Sequence, residues 1–196
     1  MTRLKDRRYE HIKRVAVNTL IECGIRNVPI DPFLICERRG YKLIKYSEKY
    51  NEEDMAVVVE AFPNGFNYYD KGVRIIEYND NYSIERIRTT ILHEIGHIEL
   101  KHTKKCLLAE TEAEWFAAYI IAPPPLVDLY DIEDFLDVSV RFNTSCECGF
   151  HCMRRYQTWK RYTIFKKDYE RQLVKQFTGD CISIDNERNV ITYECN

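Results

Sequence analysis

The chain has 196 residues, 45% of them hydrophobic and 31% charged, enough to bury a core without a covalent staple. Lys and Arg number 29 against 31 Asp and Glu, a formal net charge of −2, which gives the chain as a whole no electrostatic case for clamping nucleic acid. No apolar run approaches the length of a membrane span, and the opening MTRLKDRRYEHIKR is charged where a secretory signal needs an apolar core, so the expectation is a cytoplasmic protein with no membrane partner.

Residues 7–23, RRYEHIKRVAVNTLIEC, repeat apolar positions at helical spacing, with Gly24 as the stop. VPIDPFLICERRG reads as a loop and a short helix started by proline and ended at Gly40. From Tyr41 to Tyr78 the period changes. YKLIKY, MAVVVEAF, FNYYD and VRIIEYN are short runs of β-branched and aromatic residues separated by PNG and KG turns, the pattern of a small, mostly antiparallel sheet. Helices return at 83–101, with Ser83 as N-cap and Arg86 as a partner for nearby acids, and at 107–121, stopped by the prolines at 123–125. DIEDFLDVSVRFN and SCECGFHCMRRYQTWKRY give a third and a fourth, joined at NTS, where Thr144 or Ser145 can cap. A basic amphipathic helix over 164–177 and two alternating runs in CISIDNERNVITYEC follow.

Eight cysteines are many, but CECGFHC matches neither paired zinc knuckles nor a redox Cys-x2-Cys, so free thiols are the default. Cys148 and Cys152, four apart on a helix, and Cys181 and Cys195, around the hairpin, leave a second metal or a disulfide as the alternative. Charge is uneven: residues 141–175 carry nine basic groups against three acids, and residues 128–137 carry five acids and no base.

Three of the five histidines fall within TTILHEIGHIELKH. Residues four apart on a helix share a face, so His93 and His97 can present imidazole nitrogen to one ion. Glu94, next to the first ligand, can take a proton from a metal-activated water without occupying the metal. Ile91, Leu92, Ile95, Gly96 and Ile98 make this a packed turn rather than a solvated one, and Gly96 suggests close approach by a strand or a substrate. A metzincin would need glycine at 100 and histidine at 103, where this chain has Leu100 and Thr103, with His102 out of register. AETEAEWFAAYIIAP instead offers Glu110, Glu112 and Glu114, of which at most two can face one ion.

RIRTTILHEIGHI followed by ETEAEWFAAYIIAP resembles the ImmA/IrrE family of zinc metallo-endopeptidases, with their R-x-R-x-T-x-x-H-E-x-G-H and E-x-E-A-x-x-F-A-x5-P patterns. VPIDPFLICERRGYKLIKYS is similar to the family's N-terminal segment, and VRFNTSCECGFHCMRR resembles its later helix pair, except that Thr144 replaces the usual valine and Cys148 and Gly149 the usual alanines. The resemblance implies zinc held by His93, His97 and Glu112, with Glu110 as the alternative third ligand and Glu94 as general base. Taken with the element pattern above, the expected fold is α+β: a mostly antiparallel sheet on a gluzincin-like HExxH helical core over 1–125, a helix-turn-helix-like subdomain over 126–163, and a helix-and-hairpin tail over 164–196 that the resemblance does not reach.

By the same resemblance, the substrate is a helix-turn-helix transcriptional repressor, whose cleavage relieves repression, and the acidic stretch 128–137 could meet such a basic partner. Two alternatives come from other classes. One is a regulator that binds DNA or protein with an idle or structural metal site, suggested by the helix pair and the basic stretch 141–175. The other is a mobile-element effector using the same protease site on another target.

Overall fold

In the computed structural model, which describes residues 6–104 and 106–179 and, as backbone alone, strands at 182–185 and 190–193, the first apolar repeat becomes α1 (Asp6–Glu22), burying Ile12, Ala16, Val17 and Leu20. Gly24, just past its end, has φ +64°, a conformation open to glycine at no steric cost. α2 (Pro32–Arg39) is bounded by the residues that its sequence marks. The Asp31 side chain accepts from the Phe33 amide at 2.8 Å, Pro32 opens the first turn, and Gly40 ends it in the left-handed region.

The stretch expected to be all strand is not. β1 (Lys42–Lys45), β2 (Gly65–Asp70) and β3 (Val73–Tyr78) form a sheet in the order β1-β3-β2, but MAVVVEAF lies in a helix. After α3 (Tyr46–Lys49), Asn51 caps α4 (Glu52–Ala61) by accepting from the Asp54 amide at 2.9 Å, and Glu52, Glu53 and Asp54 sit where the helix dipole favours anions. Local capping thus overrides the β preference of three valines, of which only Val58 is buried. The sheet is mixed rather than mostly antiparallel: β2 runs antiparallel to β3, and β1 runs parallel to it. With α3, α4 and β2 between β1 and β3, the chain has the long crossover that a parallel pair requires.

α5 (Ile84–Glu99) and α6 (Leu107–Ile121) make the central helix pair. Gly96 belongs to that contact: a Cβ there would lie 3.0 Å from the Phe116 ring, so the close neighbour is α6, not a strand or substrate. The prolines that stop α6 also start α7 (Pro124–Leu129). α8 (Phe135–Phe142) is capped by Asp134 and α9 (Cys146–Tyr162) by Ser145 rather than Thr144. At Gly149 a Cβ would meet Ser139 Oγ at 2.1 Å and the Phe135 carbonyl at 2.5 Å, so this helix pair packs closer than an alanine there would permit. α10 (Asp168–Thr178) is followed by the antiparallel pair β4 (Ile182–Asp185) and β5 (Val190–Tyr193). Cys181 and Cys195 lie outside the described residues.

The architecture is α+β and mostly helical. One hydrophobic cluster runs from Ile12 through Ile91, Phe116 and Phe142 to Leu173, drawing on all three of the expected segments. Among the described residues Arg86 meets no acid. It donates to Asn64 Oδ1 at 2.7 Å and stacks over Tyr82. Arg88 is buried and gives its protons to the carbonyls of Ile30, Phe142 and Asn143, tying α5 to the α2 approach and to the end of α8. Many bases of the 141–175 stretch have internal partners: Arg155 the Ala118 carbonyl, Lys160 the Tyr156 hydroxyl, Lys166 Asp128, Lys167 Glu10 and Arg171 Asp168.

α10 is tied to α1 through Gln176, which donates to the Leu20 and Ile25 carbonyls, and through Glu10, which accepts from Tyr169 and pairs with Lys13 and Lys167. Burial raises the pKa of Glu10, but the bonds from Lys13, Lys167 and Tyr169 outweigh it and lower the carboxyl from 4.5 to about 2. A depressed carboxylate contributes stability that is whole above its unfolded pKa and lost as pH falls through the folded one. Denaturant titrations between pH 4.5 and 2 are therefore expected to lose stability more steeply in the wild type than in Glu10→Gln. Equal slopes would mean that the contact contributes nothing.

Candidate metal centre

α5 carries His93 and His97 one turn apart, and their Nε2 atoms lie 3.0 Å from each other. α6 brings Glu110 to the same point: its Oε2 is 3.3 Å from His93 Nε2 and 3.5 Å from His97 Nε2. Metal bonds of about 2.0–2.2 Å at tetrahedral angles separate donor atoms by roughly 3.3–3.5 Å, so the two sides to Glu110 have the dimensions of a metal site and the His93–His97 side is slightly shorter. The donor set fits as well, since two imidazoles and one carboxylate suit a borderline cation. Among the described residues this is the one cluster of histidine, cysteine or acid side chains with metal-binding geometry. Burial first, and then the neighbouring His93, lower the pKa of His97 to about 4, keeping it neutral, as a ligand must be.

Glu112 is not part of that triangle. Its Oε2 lies 2.9 Å from His102 Nε2, and its Oε1 accepts from Arg8 at 2.5 Å. His102 Nδ1 is in turn 3.0 Å from His97 Nδ1. Glu112 thus reaches the centre through a chain of two imidazoles, the kind of outer contact that orients a ligating histidine. Burial raises the Glu112 pKa, but Arg8 and His102 together bring it below the ordinary value. Glu114 is exposed.

Glu94 points toward the sheet and is buried. Asn67 Nδ2 on β2 donates to its Oε2 at 2.6 Å. The approach of β2 that makes this bond depends on Gly65, where a Cβ would meet the Glu77 carbonyl at 2.7 Å and Thr90 Cγ2 at 2.9 Å. Among side chains able to donate to an oxyanion, Tyr119 is fully buried, His102 is engaged with His97 and Glu112, and His151 is exposed on α9. His93 borders a large cleft between α5, α6 and α9, together with Thr89, Trp115, His151 and Arg154.

Asn67, Arg8 and the linking role of His102 escape a reading by motif. The one signal was an asparagine inside an aromatic strand, a residue type that strands usually avoid.

No curated protein matches the chain. The family model described as Peptidase_M78, IrrE N-terminal-like domain, matches residues 36–148, a span running from the end of α2 to the first turn of α9 that holds His93, Glu94, His97, His102, Glu110 and Glu112. The chain belongs to the ImmA/IrrE family of metallopeptidases.

Proposed function

We propose that the protein is a zinc-dependent endopeptidase whose ion is held by His93, His97 and a glutamate of α6, with Glu94 as general base. The observation that carries this reading is the donor triangle of His93, His97 and Glu110, with sides of 3.0, 3.3 and 3.5 Å. Zinc, when bound, supplies Lewis acidity, polarising a carbonyl and bringing the pKa of water to about 7. Glu94 takes the proton of the attacking water and passes it to the leaving amine. Asn67 limits the rotation of that carboxylate, so β2 acts as its positioning element.

Two glutamates have a claim to the third position. Geometry favours Glu110, whereas the family pattern favours Glu112, which would have to leave Arg8 and His102 to ligate. Glu110→Gln is expected to weaken zinc affinity strongly, because a neutral amide is a poor ligand, while Glu112→Gln costs about 10- to 100-fold through its loss as a supporting partner. Competitive titration with a zinc indicator measures both. The opposite ranking gives the ligand to Glu112.

For substrate, the reading is a helix-turn-helix repressor, resting on family likeness and on the acidic stretch 128–137. Within that stretch Asp128 already holds Tyr156 and Lys166, and Asp134 caps α8, leaving Asp131, Glu133 and Asp137 as exposed acids for a basic partner. Incubating the zinc-loaded protein with a regulator encoded beside it is expected to give one cut that a chelator prevents. Salt-dependent DNA binding without any cut would favour the regulator reading instead, and cleavage confined to an unrelated protein the effector reading.

A further inference from the structure

Cys148 and Cys152 lie on α9, with their sulfurs 4.0 Å apart. Cys148 is half-buried in the first turn and borders the cleft, where the helix N-terminus favours an anion, and Ser145 caps the turn by accepting from the Cys148 amide at 3.2 Å. Arg155, one turn further on, donates to Cys152 Sγ at 2.9 Å and to the Ala118 carbonyl at 2.6 Å. Among the described residues it has no carboxylate partner, so its charge is directed at the thiol pair. The buried Cys152 sulfur is therefore held beside Cys148 by a guanidinium and by the packing of α9 on the core.

We propose that Cys148 and Cys152 are a peroxide-reactive dithiol, with Cys148 as the nucleophile and Cys152 as the resolving thiol. The thiolate of Cys148 attacks one oxygen of a hydroperoxide, so that an S–O bond forms and the O–O bond breaks. The departing hydroxide or alkoxide takes a proton and leaves as water or alcohol. Sulfur is oxidised by two electrons and the peroxide reduced by two. The Cys152 sulfur then attacks the sulfenic sulfur, an S–S bond replaces the S–O bond, and the hydroxyl leaves as water with the Cys152 proton. The electrostatics run the same way. The Cys152 thiol beside it, followed by Arg155, Thr144 and Arg88, outweighs burial and lowers the Cys148 pKa to about 6, while Cys148 and burial raise the Cys152 pKa against the pull of Arg155.

Residues four apart on a regular helix hold their Cβ atoms about 5–6 Å apart, wider than the roughly 3.5–4.5 Å that a disulfide spans. Oxidation must therefore draw in the first turn of α9. That turn follows Phe142 and Asn143, whose carbonyls hold Arg88 of α5, so the oxidised form alters the junction that anchors the helix bearing His93 and His97.

The test uses the full-length, fully reduced, zinc-loaded protein. At pH 6, peptide mapping after timed alkylation is expected to find Cys148 modified about tenfold faster than the exposed Cys106 and Cys146. Hydrogen peroxide is expected to remove two hydrogens from the peptide holding Cys148 and Cys152, with fragment ions assigning the link to that pair. In Cys152→Ser, a dimedone-reactive sulfenic acid should persist on Cys148. Alkylation of Cys148 no faster than of the other two thiols overturns the proposal whatever the variant's stability. So does a peroxide-induced link between Cys146 and Cys148 in place of the expected one.

Discussion

The wild type is expected to purify with about one zinc ion per chain, as a three-ligand site implies, and His97→Ala with little or none. Two connections meet at this residue. Its Nε2 forms one corner of the donor triangle, and its Nδ1 abuts His102, which leads to Glu112 and Arg8. Removing the ring deletes a ligand and also frees Glu110 and His102 from their shared neighbour. Outer partners of ligating histidines are typically worth 10- to 100-fold in affinity, so losing the ligand itself should weaken zinc by more than about 100-fold. His102→Ala, which keeps all three corners, should fall inside the smaller range. Elemental analysis and a competitive zinc titration, with circular dichroism to follow folding, measure all of this. Equal metal in wild type and His97→Ala would remove the site assignment, and with it the case for hydrolysis.

Much of this was readable in advance because it is local. The i, i+4 spacing of His93 and His97 puts both rings on one helix face whatever the rest of the chain does, and Asp31-Pro32, Gly40, Ser83 and Ser145 bound their helices through contacts within a few residues. Where the reading departed from the structure, a second element decided the outcome or two local signals competed. In MAVVVEAF the valines argue for a strand, but Asn51 and three acids at the front of the segment form a capped helix end. Whether β1 lies parallel or antiparallel to β3 depends on the path between them, not on either strand. Gly96 reads as a gap for a ligand until Phe116 arrives from α6 to fill it.

The third corner of the site is a harder case of the same kind. Glu110 and Glu112 sit two residues apart on α6, and which of them faces the histidines depends on how α6 crosses α5, information that no spacing within α6 contains. Asn67 was hidden for a similar reason: its contact with Glu94 exists only because Gly65 lets β2 press against α5 and β3. Arg8 reaches Glu112 from a helix more than a hundred residues earlier in the chain.

Glu94→Gln is expected to leave a folded, zinc-loaded protein that still holds its protein substrate and no longer cuts it. Glutamine is close to glutamate in shape and helix preference, and Glu94 is not among the triangle's donors, so neither fold nor metal content has cause to change. What changes is the ability to accept a proton. An amide oxygen can still take the hydrogen bond from Asn67 but is far too weak a base to deprotonate water, and loss of a general base typically costs about 10² to 10⁴ in rate. Asn67→Ala supplies the contrast: it keeps the carboxylate while removing the donor that orients it, so cleavage should slow without stopping and zinc should remain. If Glu94 only helped to pack α5 against the sheet, the two variants would exchange ranks, with Glu94→Gln nearly silent because it preserves the Asn67 contact and Asn67→Ala the more damaging. The order of the two cleavage rates, measured at equal zinc content, therefore separates a base from a structural side chain.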